Sequence, residues 1–537
     1  MLIDRPVLHC AKEPRPKLTR RPALPLVVLF SCSVLAACQG PPAPAKAGSA
    51  PPPPLAAAPS GPLSTIYRQS PSYISSAMGQ FATGLALADI NGDHLPDMVI
   101  SNGNDVSPQP VVVFYNDPKA ASAFGSRPGW YSDANEYNAG LAVGDIDKDG
   151  ALDVAVSVAF GRYEYLRGGR VSIYMNRAGT LEARPSYSSD DRYITPGCAL
   201  GDIDSDGDLD LAVAVMLEDA KDPSSAEPPP GHTRIYLNEN GAIQKTPAWT
   251  AATANIAGDV AFADVNQDGW MDLVVAGQAV QVYYGSAPKP GVKIPLPLDP
   301  SWTTQNIYPF AYGVDVGSVG SGPGLSLAVS VSCLFTACDS RFVLHTPGAG
   351  INPVWSSTAA QYASKVLLAD LTGDEILDLI AGQWGTDKHG GPLWIFQGSS
   401  STPPLPASPT FTTTTSSVVE GLAVADIKRA SVCARSYKWK ATTKNSPRSV
   451  ITLPERVIEQ VRKVSRGGVA LPPSMYAWTP AENWVSLRDP LAPGEQVEVE
   501  YDVSPIKDIA AANYQNYYPS IGNYIFFSFL DAPKCNP

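Results

Sequence analysis

Six times in this chain a short apolar run enters an acidic loop and leaves it as a second apolar run. The loops are DINGDHLPD from Asp89, DIDKDGALD from Asp145, DIDSDGDLD from Asp202, DVNQDGWMD from Asp264, DLTGDEILD from Asp370 and a broken remnant, DIKRA, at Asp426. Their starts lie 56, 57, 62, 106 and 56 residues apart, and the longest interval holds one more, degenerate copy: SVGSGPGLSLAVS from Ser318 aligns with DIDKDGALDVAVS from Asp145. A unit of about 55 residues therefore occurs seven times. A period of that size, built from short strands, belongs to radial or stacked arrays in which each unit covers its neighbour's apolar face.

The run before each loop alternates large apolar residues (Leu85 and Leu87, Leu141 and Val143, Cys198 and Leu200, Val260 and Phe262) with mostly alanine. This reads as a strand buried on both faces and tightly packed on its alanine side. After the loop come MVIS, VAVS, LAVA, LVVA, LAVS and LIAG, and many units end on a third strand such as VVVFYN, VSIYMN or TRIYLN. No intervening segment has a helical period long enough for a crossover helix, so the sheets should be antiparallel. The expectation is an all-β fold, a seven-bladed β-propeller with a small C-terminal β-rich domain. A linear solenoid is the rival.

Within the loops, polar residues fall at positions 1, 3, 5 and 9: Asp89, Asn91, Asp93 and Asp97; Asp145, Asp147, Asp149 and Asp153; Asp202, Asp204, Asp206 and Asp210; Asp264, Asn266, Asp268 and Asp272; Asp370, Thr372, Asp374 and Asp378. Alternate oxygens on a tight turn converge on one point, which suits a hard cation needing six to eight oxygens. An EF-hand is excluded: position 12 should be a bidentate Glu and is instead Ile100, Val156, Val213, Val275 or Ala381, and apolar strands replace its flanking helices. The copy at Ser318 has lost every ligand and the copy at Asp426 keeps only its first, so these two units are expected to hold no metal.

The run GLAVGDIDKDGALDVAVS and its relatives resemble the FG-GAP or VCBS repeat of the integrin-alpha-like propellers, over about Phe81 to Asp426. The resemblance implies calcium in a hairpin loop of several blades, about five sites here. It also implies a backbone carbonyl ligand at position 7, which is Leu95, Ala151, Asp208, Trp270 or Ile376. It says little about function, because such propellers serve adhesion, sugar binding and scaffolding alike.

The N-terminus carries Arg15, Lys17, Arg20 and Arg21, then the apolar run ALPLVVLFSCSVLAA and Cys38. That run is short for a membrane span, so residues 1–37 read as a cleaved signal. Leu35-Ala36-Ala37-Cys38 resembles the lipobox of bacterial lipoproteins, which implies lipidation at Cys38 and, with Gln39 following, an outer-membrane lipoprotein of the cell envelope. Residues 38–64, rich in Pro and Ala, read as a tether without a core of its own, residues 65–455 as the propeller, and 456–537 as the β-rich C-terminal segment. The net charge is -12, and positions 1, 3, 5 and 9 of the five intact loops hold 17 of the 51 acids, so much of the acidity is ligand. Nucleic acid is excluded as a partner on that balance. Cys333 and Cys338 bracket a short loop where an oxidising envelope permits a disulfide; Cys198 reads as a buried thiol, and a Cys433 to Cys535 bridge stays open.

Loops on the face opposite the acidic ones vary most in length, and variable loops on a rigid scaffold are where binding concentrates. Tyr137, Tyr163, Tyr165, Arg167, Tyr193, Tyr308 and Trp384 are the candidate partner-binding residues there. The chain has five His and no GxSxG, HExxH or Walker pattern, which argues against an enzyme. The reading is a lipid-anchored, calcium-binding module for a protein or glycan ligand in cell adhesion. A calcium-dependent hydrolase or lyase, or a structural subunit of an envelope assembly, are the alternatives.

Overall fold

The computed structural model describes residues 63–529 except 77, 104–105, 121, 161–167, 220–227, 305–307, 321–323, 334–337, 386–389, 430–431 and 515–520. Among these, seven antiparallel four-stranded sheets follow the repeat. The first comprises Ala82–Ala88, Asp97–Asn102, Val112–Phe114 and Trp130–Tyr131, with spatial order equal to sequence order. Five more copy it, with inner strands Tyr137–Gly144, Gly197–Gly201, Asp259–Ala263, Ala311–Gly317 and Ala363–Ala369. Each acidic loop joins the inner strand to the second strand of its sheet.

The seventh sheet is assembled from distant segments. Its inner strand is Val419–Ala425, followed by Asp508–Asn513, Tyr524–Phe526 and, outermost, Tyr73–Ile74 from the other end of the chain. Apolar residues of this sheet (Ala510, Ala512, Ile525) share one core with Leu85, Met98 and Ile100 of the first. A β-carbon on Gly421 would stand 2.9 Å from the backbone nitrogen of Leu85, so the contact requires glycine.

Three regularities join the sheets. The third strand of the first three ends in Asn116, Asn176 or Asn238, whose Nδ2 donates to a carbonyl of the preceding sheet's acidic loop: Ile427 (2.7 Å), Ile90 (2.7 Å) and Ile146 (2.8 Å). An aromatic residue in the outer strand packs edge-on against the third strand of the next sheet, as in Trp130 on Tyr174, Trp249 on Tyr283 and Trp355 on Phe396. Finally, inner strands of non-adjacent sheets meet: Lys365 of the sixth sheet reaches Asp259 of the fourth at 3.1 Å, passing over Tyr312 of the fifth. The alanine side is not tightly packed. Ala86, Ala142, Ala199, Ala261 and Ala423 are only half-buried.

The expected boundary at 455/456 is corrected. The β-rich unit is an insertion into the seventh acidic loop, made of one sheet (Cys433–Lys440, Gln496–Val503, Gln460–Arg466, Val469–Ala470) and a second (Arg448–Thr452, Trp484–Leu491, Tyr476–Ala477). Its own core contains Ile451, Val464, Val485, Leu487, Val497 and Val499. The chain then returns to finish the seventh sheet. Cys333 and Cys338 form a disulfide with Cα atoms 5.5 Å apart, and Cys198 is a buried free thiol. Cys433 is disulfide-bonded; Cys535 lies outside the described residues, as do Cys38 and the tether up to residue 62.

Candidate metal loops and the domain docked on them

The five intact loops share one turn. Positions 4 and 6 both have positive φ: Gly92 and His94, Lys148 and Gly150, Ser205 and Gly207, Gln267 and Gly269, Gly373 and Glu375. Two left-handed residues curl the loop so that its side chains point inward. The position-5 carboxylate then accepts the position-7 N–H, at 2.9 to 3.0 Å, from Leu95, Ala151, Asp208, Trp270 and Ile376. The position-1 carboxylate accepts the position-6 N–H: His94 to Asp89 (2.8 Å), Gly150 to Asp145 (3.1 Å), Gly207 to Asp202 (3.1 Å), Gly269 to Asp264 (2.9 Å) and Glu375 to Asp370 (2.8 Å).

Position 9 has a structural task as well. Asp97, Asp153, Asp210, Asp272 and Asp378 are fully buried. One oxygen of each accepts the position-2 N–H and the other an N–H at the end of the third strand; in Asp153 these come from Ile146 at 2.9 Å and Asn176 at 2.7 Å. The carboxylate thus staples the loop to its sheet. Burial pushes Asp97, Asp153 and Asp378 up to about 7 and Asp272 up to about 8, against the backbone hydrogen bonds that pull them down.

Three carboxylates come within 4.8 Å of one another in the second loop (Asp145, Asp147, Asp149) and in the third (Asp202, Asp204, Asp210). Loops one, four and six have an amide or hydroxyl at position 3 (Asn91, Asn266, Thr372) in place of one carboxylate. Buried oxygens without a hydrogen-bond partner remain on Asp145 (Oδ1), Asp264 (Oδ1) and Thr372 (Oγ1). The side chain of Asp208, by contrast, points away and accepts from the Asn240 N–H at 3.0 Å.

The seventh loop was misjudged from sequence as keeping only Asp426. Asp508, beyond the insertion, is its position 9: it accepts the Ile427 N–H at 3.0 Å and the Ser528 N–H at 2.7 Å. Beside it, Arg429 lies 3.3 Å from Glu459, and the buried Lys507 feels the charges of Glu459 and Asp426.

The inserted domain rests on loops two to four. Lys148 Nζ donates to the carbonyls of Tyr476 (2.6 Å) and Pro473 (3.1 Å). Arg448 donates to Asp264 Oδ2 and to the Gln267 carbonyl, both at 3.0 Å, and Ser449 and Val450 donate to the Gly269 carbonyl. Val450, Ala477 and Trp484 share a core with Leu209 and Met271 of the loops. Arg456 reaches Asp315 on the fifth inner strand, where five other sheets have alanine, and also pairs with Glu482.

The candidate partner residues are dispersed. Tyr193 is fully buried, hydrogen-bonded to Tyr236 and covered by Arg234, and is therefore a core residue. Tyr308 bonds His345 (2.5 Å), Trp384 packs edge-on to Tyr312, and Tyr137 is half-buried against Ile194 and Phe310. Tyr163, Tyr165 and Arg167 lie outside the described residues.

An all-β chain of small antiparallel sheets with such loops is of the β-propeller type that serves as a binding module. A family model described as FG-GAP-like repeat matches residues 89–156 and 225–275. No curated protein matches the chain.

Proposed function

We propose that this is a calcium-binding, seven-bladed propeller that serves as a protein- or glycan-binding module at the bacterial cell envelope, carried there by a lipid on Cys38. The observation that carries the calcium reading is the inward set of loop oxygens at positions 1, 3 and 5, several buried without a partner, on a backbone already curled by its own hydrogen bonds. Oxygen donors in such number suit a hard divalent cation. Loops one, two, three, four and six would hold it through Asp89, Asn91 and Asp93 and their counterparts, with the staple at position 9 beside them. Bound there, the ion neutralises clustered carboxylates and stiffens the loops.

Calcium binding to the purified, metal-stripped chain should saturate near five ions. Asp149→Ala and Asp206→Ala should each remove one, while Asp315→Ala leaves the number unchanged. No binding at millimolar calcium would refute the assignment.

A further inference from the structure

The fourth loop is gripped from outside by the inserted domain, and the grip falls on a cage residue. Asp264 has a side chain only 1% exposed. Its Oδ2 takes two hydrogen bonds, from the Gly269 N–H at 2.9 Å and from Arg448 Nη2 at 3.0 Å. Its Oδ1 is buried and has no partner. Arg448 is itself held, its guanidinium 5.0 Å from the centre of the Trp439 ring. The same strand fixes the loop backbone, because Ser449 and Val450 N–H both donate to the Gly269 carbonyl, at 2.9 and 3.0 Å. The second loop offers the contrast: Asp145 has the same free Oδ1 and the same position-6 bond, and no arginine among the described residues pairs with it.

From this geometry we infer that the fourth loop and the inserted domain form one composite cation site, in which Arg448 positions Asp264 so that cation binding and docking of the insertion are coupled. The inference rests on the calcium reading above. The physical reason is the division of labour on one carboxylate. With Oδ2 fixed by Gly269 and Arg448, Asp264 cannot rotate, and Oδ1 stays directed to the cage. Conversely, a cation on Oδ1 holds Asp264 and the Gly269 peptide where Arg448, Ser449 and Val450 need them. Two events that stabilise the same arrangement of one loop must favour each other reciprocally. The third loop adds to this dependence, since Asp202 is fully buried and faces Ser486 of the insertion, and a buried carboxylate needs a counter-charge.

Amide hydrogen exchange on the full-length protein, with and without calcium and alongside direct counting of bound ions, tests the coupling. Calcium should slow exchange at 448–452 and 484–488 by about tenfold or more, in the range usual for coupling between sites. Asp268→Ala is the decisive variant. Asp268 is an exposed cage residue that touches Asn266 and Trp270 within its own loop, so every contact of the insertion survives the change. It should lose one ion and also most of the calcium-dependent protection at 448–452. Arg448→Met should weaken calcium at one site, and Arg448→Lys should restore part of it. If ions bind but exchange at 448–452 ignores calcium, or ignores Asp268→Ala, the coupling is wrong while the calcium reading stands. If no ion binds, the calcium reading itself fails, and the inference with it.

Discussion

Removing the guanidinium of Arg456 should be among the most damaging single changes in the chain. Its side chain is 6% exposed, and it pairs with Asp315, 9% exposed, and with Glu482, 31% exposed. Burial alone would disfavour all three charges; the pairing offsets it. Arg456→Met leaves the buried Asp315 carboxylate with backbone N–H partners but no counter-charge, and breaking a buried pair in this way costs about 3–5 kcal/mol. Alanine stands in the Asp315 position in five other sheets, at Ala86, Ala142, Ala199, Ala261 and Ala423. Asp315→Ala added to Arg456→Met should therefore recover most of the loss. A residue of about 1 kcal/mol is expected, because the Leu368 N–H loses its acceptor, Asp315 Oδ2 at 2.7 Å. The assay is denaturant unfolding of both single variants and the double, followed by tryptophan fluorescence, to which Trp484, 3% exposed where the insertion packs on Leu209 and Met271, contributes. A favourable coupling of about 2 kcal/mol or more between the two sites is expected. An Arg456→Met cost below about 1 kcal/mol, or a double variant as damaged as the sum of its parts, would refute the reasoning.

Asn176→Ala should cost about 2–3 kcal/mol, since a fully buried amide ties the Ile90 and Leu152 carbonyls and accepts from Gly179; a melting temperature equal to that of the parent would contradict the role of this tie between sheets. In excess chelator, stability should fall as pH rises from about 5 to 8. The folded state raises Asp97, Asp153 and Asp378 to about 7 and Asp272 to about 8, from an ordinary 3.8, and so retains protons that the unfolded chain releases. Saturating calcium should flatten that slope, because the metal takes over from the protons, and denaturation midpoints across the pH series in both conditions would reveal it. Cys38→Ser should abolish incorporation of labelled fatty acid; equal label in both forms would exclude the lipid anchor.

The inner and second strands were legible because their alternation is strict and each is punctuated by the same nine-residue loop. The outer strand was not, although a signal was present: WYS, WTA, WTT and WSS recur at Trp130, Trp249, Trp302 and Trp355, each supplying the ring that packs on the next sheet. Asparagine at 116, 176 and 238 was visible as a strand ending, but its purpose is an acceptor in another repeat, which spacing alone does not reveal. The seventh unit was obscured because 81 residues separate Ile427 from its partner Asp508, and a repeat search reads only contiguous copies. Loop positions 1, 3, 5 and 9 were legible as a recurring spacing, but the backbone hydrogen bonds that position 9 accepts from the third strand were not. Arg448 and Arg456 were beyond sequence reasoning, since each owes its role to a domain folding back over loops that lie more than a hundred residues upstream.

Tyr73 and Ile74 lie in the outermost strand of the seventh sheet, paired with Ile525 and Tyr524. At a synthesis rate of roughly 5–20 residues per second, the partner strand emerges roughly 20–90 s after this one. Through that interval the first sheet has no neighbour on one flank, and Leu63, Ile66 and Tyr67, buried in the finished molecule, stay uncovered until the sixth sheet is made and are sealed only when Ile509, Tyr524 and Phe526 follow. Every sheet made in between inherits one finished flank and one unfinished one. The order of birth therefore leaves an apolar seam open until residues 524–526 are made, and a chain cut short before them loses the beginning of its fold together with its seventh sheet.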